Sequence, residues 1–348
     1  NYDQRMQRIC DSLQKNNFEV LLVGRLRYFS KSLPTFSFQT KRISCFFNKG
    51  KFFYLEFNLR LFFFLLFKKT DIYGAIDLDT IIPHFLVSRF KKKPMVYDAH
   101  EYFTEVPEVV LRPKIQKMWA CIENWIVPKL KYSYTVNHSL AKLFQDKYAV
   151  PFEVIQNASL LYPTLSKTSN EKYLIYIGAV NIGRGLEELI EAMPQLNVPL
   201  YICGDGDLLE ELKVQIKQNN LQDKVFFTGY LSPKELHQFT RNATIGYCLL
   251  RNQGLSYYYS LANKFYDYIH AEIPQITINF PEYKTLNEQF EVAKLIDLNV
   301  NEIVKTTNQL LEDKKMYEQL VSETKKAKKV LNWREEEKKL IRFYNNVC

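Results

Sequence analysis

The chain has 348 residues, more than one hydrophobic core usually organises, so two domains of about 150 residues each are expected. Apolar residues make up 47% and charged residues 24%, which excludes an intrinsically disordered chain. The net charge of +9 lies in the first half, because residues 1–165 hold 24 Lys/Arg against 14 Asp/Glu. Such a basic half attracts anionic lipid or an acidic acceptor, and a merely solvated basic surface is the equal alternative. A nucleic-acid partner is not expected, because no finger, basic-zipper or RNP-like motif accompanies the charge.

The cysteines and the apolar runs predict a cytoplasmic protein. No C-x-x-C pair occurs, which argues against a zinc site and against a disulfide framework. The first residues enter directly into a helical pattern, so no signal peptide is expected. The longest apolar run, residues 61–67, is too short to cross a bilayer and predicts a buried or interfacial helix. The scattered cysteines are Cys10, Cys45, Cys121, Cys203, Cys248 and Cys348.

Short β-rich runs alternate with helical patterns along the whole chain. In the first half the predicted strands are FEVLLVGR, RISCFF, DIYGAID, PMVYDAH, YSYTVN and FEVIQN. In the second half they are YLIYIGAV, PLYICG, KVFFTGY, IGYCLL and QITINF. This rhythm predicts two successive α/β units with parallel sheets, divided in the polar segment 157–172. Ligand is then expected in a cleft between the two domains, beyond the carboxyl ends of the strands.

Two segments in the second half have local sequence signals that predict helices. Ser232, Pro233 and Glu235 supply an N-cap, a first-turn proline and a capping-box acid. Residues 312–342 are charge-rich and predict helix with a solvated face.

The turn after YLIYIGAV has the composition of a phosphate-binding loop. Gly183 and Gly185 let the backbone approach a phosphate, and a helix begins directly after them. Arg184 adds a cation whose fork suits a diphosphate. An ordinary βα turn with an exposed arginine is the alternative, and no G-x-G-x-x-G dinucleotide fingerprint is present.

Two D-x-D pairs follow predicted strands. Asp77 ends DIYGAID and Asp79 lies two residues later, and Asp205 and Asp207 lie within the Gly-Asp-Gly-Asp turn that starts at Gly204. Two-residue patterns are weak signals, so turn chemistry or helix capping is favoured over a metal–diphosphate site.

Ionisable residues near two other element ends are candidates for ligand contacts. Lys264 and Asp267 lie three residues apart at a predicted helix start, where they would suit a diphosphate and a ribose, although a surface ion pair is favoured from spacing alone. Asp98, His100 and Glu101 end a first-half strand that is expected to point to the cleft. A histidine there can donate to a sugar hydroxyl or phosphate oxygen, and a satisfied structural histidine is equally expected.

Together these segments resemble the family 4 (group 1) retaining glycosyltransferases. The resemblance runs through YDQRMQRICDSL, FEVLLVGR, VYDAHEYFTEVPE, YTVNHSLA, YIGAVNIGRGLEELIEAM and NKFYDYIHAEIPQIT. It implies the GT-B fold, which consists of two Rossmann-like domains facing a central cleft. The implied domains are 1–163 for the acceptor, 164–331 for the nucleotide-sugar, and a crossover helix, 332–348, packing back on the first domain.

The resemblance also implies roles for individual residues. Arg184 and Lys264 would hold the donor diphosphate and stabilise the leaving phosphate, and His100 would contact the donor sugar or phosphate. These three form the implied catalytic set, with Asp98, His100 and Glu101 on the acceptor side. The implied donor-binding residues are Gly178, Gly183, Arg184, Gly185, Gly204, Asp205, Gly229, Tyr230, Ser260, Leu261, Asn263, Lys264 and Asp267.

The sequence departs from the family's pattern at several positions. Ala179 stands where an arginine is common, and Tyr259 and Asp267 occupy the positions of two glutamates. The segment GLSYYYS, which starts at Gly254, is then the candidate for binding the donor sugar in place of the first glutamate. The family's opening strand and glycine-rich acceptor loop are not recognised before Asn1.

The implied activity is transfer of a sugar from a nucleotide-sugar to a glycan or lipid-linked acceptor, with retention and without a metal or other cofactor. Surface polysaccharide or lipopolysaccharide synthesis is the implied setting, in the cytoplasm or peripheral on the inner face of the plasma membrane. The alternatives are a non-catalytic nucleotide-sugar or glycan-binding protein, a GT-B epimerase or phosphorylase, and a membrane-surface scaffold.

Overall fold

The computed structural model describes residues 4–28, 30, 32–163, 166–169 and 171–347. Parts of three predictions lie outside these residues: Tyr2 and Asp3 of the opening helix, residues 164, 165 and 170 of the boundary segment, and Cys348. The chain divides into two compact units, one of residues 1–157 with 335–348 and one of residues 158–334.

The first unit contains two parallel sheets. Its strands are β1 (Leu21–Leu26), β2 (Gln39–Ser44), β3 (Tyr73–Ile76), β4 (Met95–Ala99), β5 (Tyr132–Thr135) and β6 (Glu153–Val154). Its helices are α1 (Gln4–Lys15), α2 (Gly50–Phe67), α3 (Ile81–Lys91), α4 (Pro107–Val110), α5 (Pro113–Ile126) and α6 (His138–Tyr148). β1 pairs with β2, and β3-β4-β5-β6 form the second sheet. A cavity of about 610 Å³ is lined by both sheets, with Leu22 of β1, Ala75 of β3 and Ile9 of α1 among its walls.

The second unit is built on a six-stranded parallel sheet. Its strands are β7 (Leu174–Ile177), β8 (Leu200–Cys203), β9 (Val225–Phe227), β10 (Ile245–Cys248), β11 (Gln275–Ile278) and β12 (Ala293–Ile296). Its helices are α7 (Leu186–Ala192), α8 (Leu209–Gln218), α9 (Pro233–Asn242), α10 (Leu255–Tyr258), α11 (Asn263–His270), α12 (Pro281–Gln289), α13 (Val300–Glu312) and α14 (Lys314–Val330). The strand order is β12-β11-β10-β7-β8-β9, so the winding reverses between β7 and β10. Such a reversal places the ends of the two flanking strands beside an open crevice.

Local signals in the sequence set several element ends. Ser232 Oγ accepts from the Glu235 amide, and the Glu235 carboxylate accepts from the Ser232 amide, which confirms the predicted capping box of α9. The predicted helix over 312–342 is interrupted at Leu331 and Asn332 and continues as α15 (Trp333–Asn345). The interruption follows from Asn332, whose side-chain amide donates to the carbonyls of Lys328 and Lys329 at the end of α14.

Residues 61–67 lie in the second half of α2, so the predicted helix is confirmed. No helix among the residues that the structure describes is long and apolar enough to cross a membrane.

Candidate functional site

The candidate site lies at the carboxyl ends of β7, β8 and β10. Gly178 directly follows β7, and its amide donates to the Cys203 carbonyl at the end of β8. A Cβ added to Gly204 would lie 1.9 Å from the Gly178 carbonyl oxygen. Only a glycine fits at position 204, because the two turns touch backbone to backbone.

The loop from Gly178 to Gly185 also packs against the segment that follows β10. The Arg251 amide donates to the Gly183 carbonyl at 2.9 Å. Gly183 and Gly185 have φ of 84° and 67°, and side chains after β10 stand close to both: Gln253 at Gly183 and Leu249 at Gly185. Glycine is therefore required at both positions, for its left-handed backbone and for the close approach.

Lys264 is a buried cation with no hydrogen-bond partner among the described residues. It lies in the first turn of α11 and is 8% exposed. Its Nζ lies 3.5 Å from the centroid of the Tyr176 ring, and a Cβ on Gly178 would be 3.7 Å from the same atom. The amine thus lies against an aromatic face beside the turn after β7.

Burial is the main cause that lowers the pKa of Lys264 to about 7, and the Arg184 charge acts in the same direction, while Cys248 and Asp267 act in the opposite direction. A buried ammonium without a hydrogen bond is costly. An anion placed at this turn would remove that cost.

Arg184 is the second cation of the site. Its Cζ lies 5.1 Å from the centroid of the Tyr257 ring, and its Nε is buried without a hydrogen-bond partner among the described residues. The guanidinium of the neighbouring Arg251 is already paired, with Glu188 at 2.8 Å and with Glu187 at 3.2 Å. Arg184 and Lys264 are therefore the cations that this loop leaves available to a ligand.

The other predicted donor-side residues are spread over three turns. Asp267 lies on α11 and accepts from Ser159 Oγ at 2.6 Å, and Ser260 Oγ donates to the Tyr257 carbonyl. Asp205 is exposed and accepts from the Gly206 amide, as a turn carboxylate does, and its donor contact stays a prediction. Lys264 is buried and its Nζ has no hydrogen-bond partner among the described residues, so it does not form the surface ion pair with Asp267 that spacing alone favours.

The residues predicted for the nucleotide base and sugar are open to solvent or partly so. A Cβ added to Gly229 would meet nothing within 4 Å, and the Tyr230 side chain is 85% exposed. Leu261 is half-buried against the core, and Asn263 is exposed at the start of α11. Their ligand roles stay predictions.

Sequence reasoning missed two members of the site, Tyr176 and Tyr257, whose rings face the two cations. Tyr176 lies in β7, whose four residues are all buried. Its sequence does not alternate between apolar and polar residues, so it did not indicate on which face of the sheet the Tyr176 side chain lies. Tyr257 belongs to GLSYYYS, which was selected only as a sugar contact.

In the first unit, His100 lies between two carboxylates. His100 Nε2 is 2.9 Å from Asp98 Oδ2, and Nδ1 is 3.7 Å from Asp77 Oδ2. Asp98 is 2% exposed and also pairs with Arg5 at 3.3 Å, whereas Glu101 is exposed. Asp98 therefore has a positioning role, because it bonds Nε2 while the His100 backbone amide donates to Asp77 Oδ1 at 2.8 Å.

Charge in this cluster favours the imidazolium. Burial alone would lower the pKa of His100, but Asp98 and Asp77 outweigh it and raise the pKa to about 9. Burial raises the pKa of Asp77 to about 7. His100 is therefore a cation at neutral pH.

The His100 cluster should give a pH-dependent contribution to stability. The pKa of His100 is higher in the folded state than in the unfolded state, so protonated His100 stabilises the folded state. This contribution is complete below pH 6.5 and is lost as pH rises through about 9. His100→Gln should lower the free energy of unfolding by about 1–3 kcal/mol at pH 6, with the difference closing towards pH 9.5. Urea denaturation between pH 6 and pH 9.5 measures this difference in the free energy of unfolding. The control is His138→Gln, because His138 is exposed. A difference that is constant with pH would contradict the prediction.

Comparison with solved structures shows the architecture. The structure of Anabaena Alr3699/HepE in complex with UDP and glucose superposes with a TM-score of 0.78 at 14% identity, covering 99% of this chain and 96% of that one. The chain has the GT-B fold. The predicted α/β class with parallel sheets and Rossmann-like units is confirmed, and at this identity the likeness concerns the fold alone.

The family model that matches the sequence lies within the second unit. Residues 163–327 match the family model of the "Glycosyl transferases group 1". "O-antigen chain mannosyltransferase C" of Escherichia coli is 23% identical over 47% of this chain and 46% of its own length. "Alpha-monoglucosyldiacylglycerol synthase" of Streptococcus pneumoniae is 29% identical over 31% of this chain and 26% of its own length. The chain thus matches about half or less of the length of these curated relatives.

Proposed function

We propose that the protein transfers a sugar from a nucleotide-sugar donor to a glycan or lipid-linked acceptor, with retention of configuration. The observation that carries the proposal is the buried Lys264 beside the Gly178 turn, whose Nζ has no hydrogen-bond partner in the described part of the chain, with Arg184 on the same loop. Two cations at the switch point of a parallel sheet fit a diphosphate. The match of residues 163–327 to the group 1 model supports the same donor class.

In the proposed mechanism the two cations stabilise the diphosphate as negative charge develops on it when the glycosidic bond breaks. Because they supply positive charge directly, the proposal requires no metal and no other cofactor. Among the described residues no cluster of His, Cys, Asp or Glu has the arrangement of a metal site. Addition of EDTA is expected to leave turnover unchanged, and NMR of the product's anomeric proton tests retention.

The proposed acceptor side is the basic first unit, with His100 as a positioning cation. One relative is named for O-antigen chains and another for a glycosyldiacylglycerol, so acceptors of both kinds, glycan and lipid-linked, are the ones to assay first. Synthesis of surface polysaccharide or lipopolysaccharide at the cytoplasmic face of the plasma membrane is the proposed setting.

A second candidate function is non-catalytic binding of a nucleotide-sugar. It is favoured by the carboxylates that already surround His100, since Asp98 Oδ2 lies 2.9 Å from Nε2 and Asp77 Oδ2 lies 3.7 Å from Nδ1. The two candidates differ in one measurement, because an enzyme releases nucleotide only when an acceptor is supplied, whereas a binding protein releases none.

Arg184→Ala should weaken the donor site. A panel of UDP, GDP, ADP, dTDP and CMP is expected to contain one nucleotide that stabilises the parent by about 2.7 kcal/mol at 100 times its dissociation constant. The variant should lose most of this stabilisation and about 100-fold in kcat/KM, because a charge-assisted contact to the diphosphate is removed. Thermal denaturation with each nucleotide measures the effect.

The matched control is Arg334→Ala, an exposed arginine of the same unit. A panel in which no nucleotide stabilises the parent would overturn the donor assignment. Equal responses from Arg184→Ala and the parent would remove Arg184 from the site.

A further inference from the structure

Helix α2 is apolar on two opposite faces, and only one of them is covered. Phe57, Leu61 and Leu65 are buried and pack with Tyr73 and Val87. At about 3.6 residues per turn, the opposite face forms a stripe about 120° wide. The stripe consists of Phe52, Leu55, Leu59, Phe63 and Phe67, which are 51–81% exposed.

The stripe continues into the segment before the helix. Phe46 and Phe47 are 84% and 50% exposed, and the Phe47 ring lies 5.4 Å from the Phe52 ring. Their amides donate to the Glu56 carboxylate at 2.9 Å each, so this turn is fixed with both rings outward. A contiguous exposed patch of this kind marks an interaction surface.

The charges around the stripe are almost all positive. Between residues 41 and 69 the only acid is Glu56, and its carboxylate is bound by the two amides and by Arg60 at 2.8 Å. The exposed lysines stand at both ends of the helix: Lys49 and Lys51 at its start, Lys68 and Lys69 after its end. A partner for this face is therefore anionic as well as apolar.

The helix is held to its unit along its whole length. Its inner face is part of the core, and Lys91 Nζ donates to the carbonyls of Leu65 and Lys68 at the far end. With 18 residues it is about 27 Å long, with cations at both ends. Only its outer face can enter a bilayer, and cations at both ends reach headgroups when the helix lies in the plane of the surface.

We propose that α2, with Phe46 and Phe47, is a membrane-docking element that lies in the interface of an anionic bilayer. The stripe enters the acyl boundary and the four lysines bind anionic headgroups. This inference deepens the membrane-surface part of the proposed function by naming the element that makes the contact. It does not involve the donor site in the second unit, so each can fail without the other.

Vesicle sedimentation of the full chain tests the proposal. The parent should bind vesicles that contain about 30 mol% phosphatidylglycerol, bind phosphatidylcholine vesicles weakly, and be released by salt. The triple variant Leu55→Ser, Leu59→Ser, Phe63→Ser should bind these vesicles at least about tenfold more weakly than the parent. The control variant Val214→Ser, Val330→Ser also removes exposed apolar side chains and should bind as the parent does.

Two further variants keep the test decisive. Lys49→Glu, Lys51→Glu, Lys68→Glu and Lys69→Glu together should abolish the preference for phosphatidylglycerol. The emission of Phe63→Trp should shift to the blue on addition of anionic vesicles, beyond any shift of the parent.

Three results would overturn the proposal. The first is a parent that does not bind anionic vesicles, and the second is a triple variant that binds them as the parent does. The third is a lipid-free dimer of the parent that the triple variant does not form, because the stripe would then be covered by a second copy. Thermal stabilisation by nucleotide, measured on the same preparations, reports the donor site separately.

Discussion

Lys264→Met is expected to make the protein more stable and to abolish its response to nucleotide. Methionine has a similar length and no charge, so it can fill the space of the lysine stem beside Tyr176 without a buried ammonium. The pKa of about 7 corresponds to a penalty on the order of 5 kcal/mol for the charged form, of which about 2 kcal/mol or more should be recovered. Loss of a diphosphate contact should lower kcat/KM by about 100-fold or more.

The gain in stability should depend on pH with a definite sign. Between pH 7 and 10.5 the unfolded state binds more protons than the folded state, because the pKa of Lys264 is lower when the chain is folded. Stability of the parent therefore rises with pH across this window. The advantage of Lys264→Met should be greatest at pH 7 and below and should decline towards pH 10.5.

Urea denaturation at pH 7 and at pH 9.5, with and without the responding nucleotide, measures both effects. The control is Lys217→Met, an exposed lysine in the last turn of α8, which should change neither stability nor nucleotide response by much. A Lys264→Met protein that is less stable than the parent at pH 7 would mean that the ammonium is not a cost. One that keeps the full response to nucleotide would show that Lys264 does not bind the donor.

The sequence predicted most of the second unit because its strands are continuous apolar runs bounded by turns. β7, β8, β10 and β11 are buried along almost their whole length, as interior parallel strands are. β12 was missed, because Ala293–Ile296 is a short edge strand in which Lys294 interrupts the apolar run. In the first unit, the separate pairing of β1 with β2 has no local signal, since pairing partners depend on contacts between distant segments.

The charged members of the candidate site were predictable from the sequence, whereas their burial and charge states were not. Motif order selected Lys264, Arg184 and His100, but spacing could not show that Lys264 is buried without a hydrogen bond to any described residue, since the i, i+3 pattern with Asp267 favours a surface ion pair. The carboxylates on both sides of His100 come from different strand ends, β3 and β4, and only the folded sheet brings them together. Burial and pairing are tertiary properties, so the charge states of these groups could not be derived from the chain alone.

Gly204→Ala is expected to be severely destabilising, although it adds only one methyl group. The added Cβ would lie 1.9 Å from the Gly178 carbonyl oxygen and 2.9 Å from the Gly178 carbonyl carbon. Both atoms belong to backbone at the end of a buried central strand, so neither can move aside as a flexible side chain would. We expect a loss of about 4 kcal/mol or more, at the upper end for single substitutions.

The comparison that isolates this cause is Gly74→Ala. Gly74 lies in β3 and pairs with Val96 of β4, but a Cβ there meets nothing within 4 Å, so the change should cost little or stabilise slightly. Circular dichroism during urea denaturation should separate the two variants clearly. Because the same contact fixes the turn after β7 against the turn after β8, Gly204→Ala should also weaken nucleotide binding at temperatures where the variant is still folded. If Gly204→Ala costs no more than Gly74→Ala, the two turns are not in contact, and the geometry proposed for the diphosphate site is wrong.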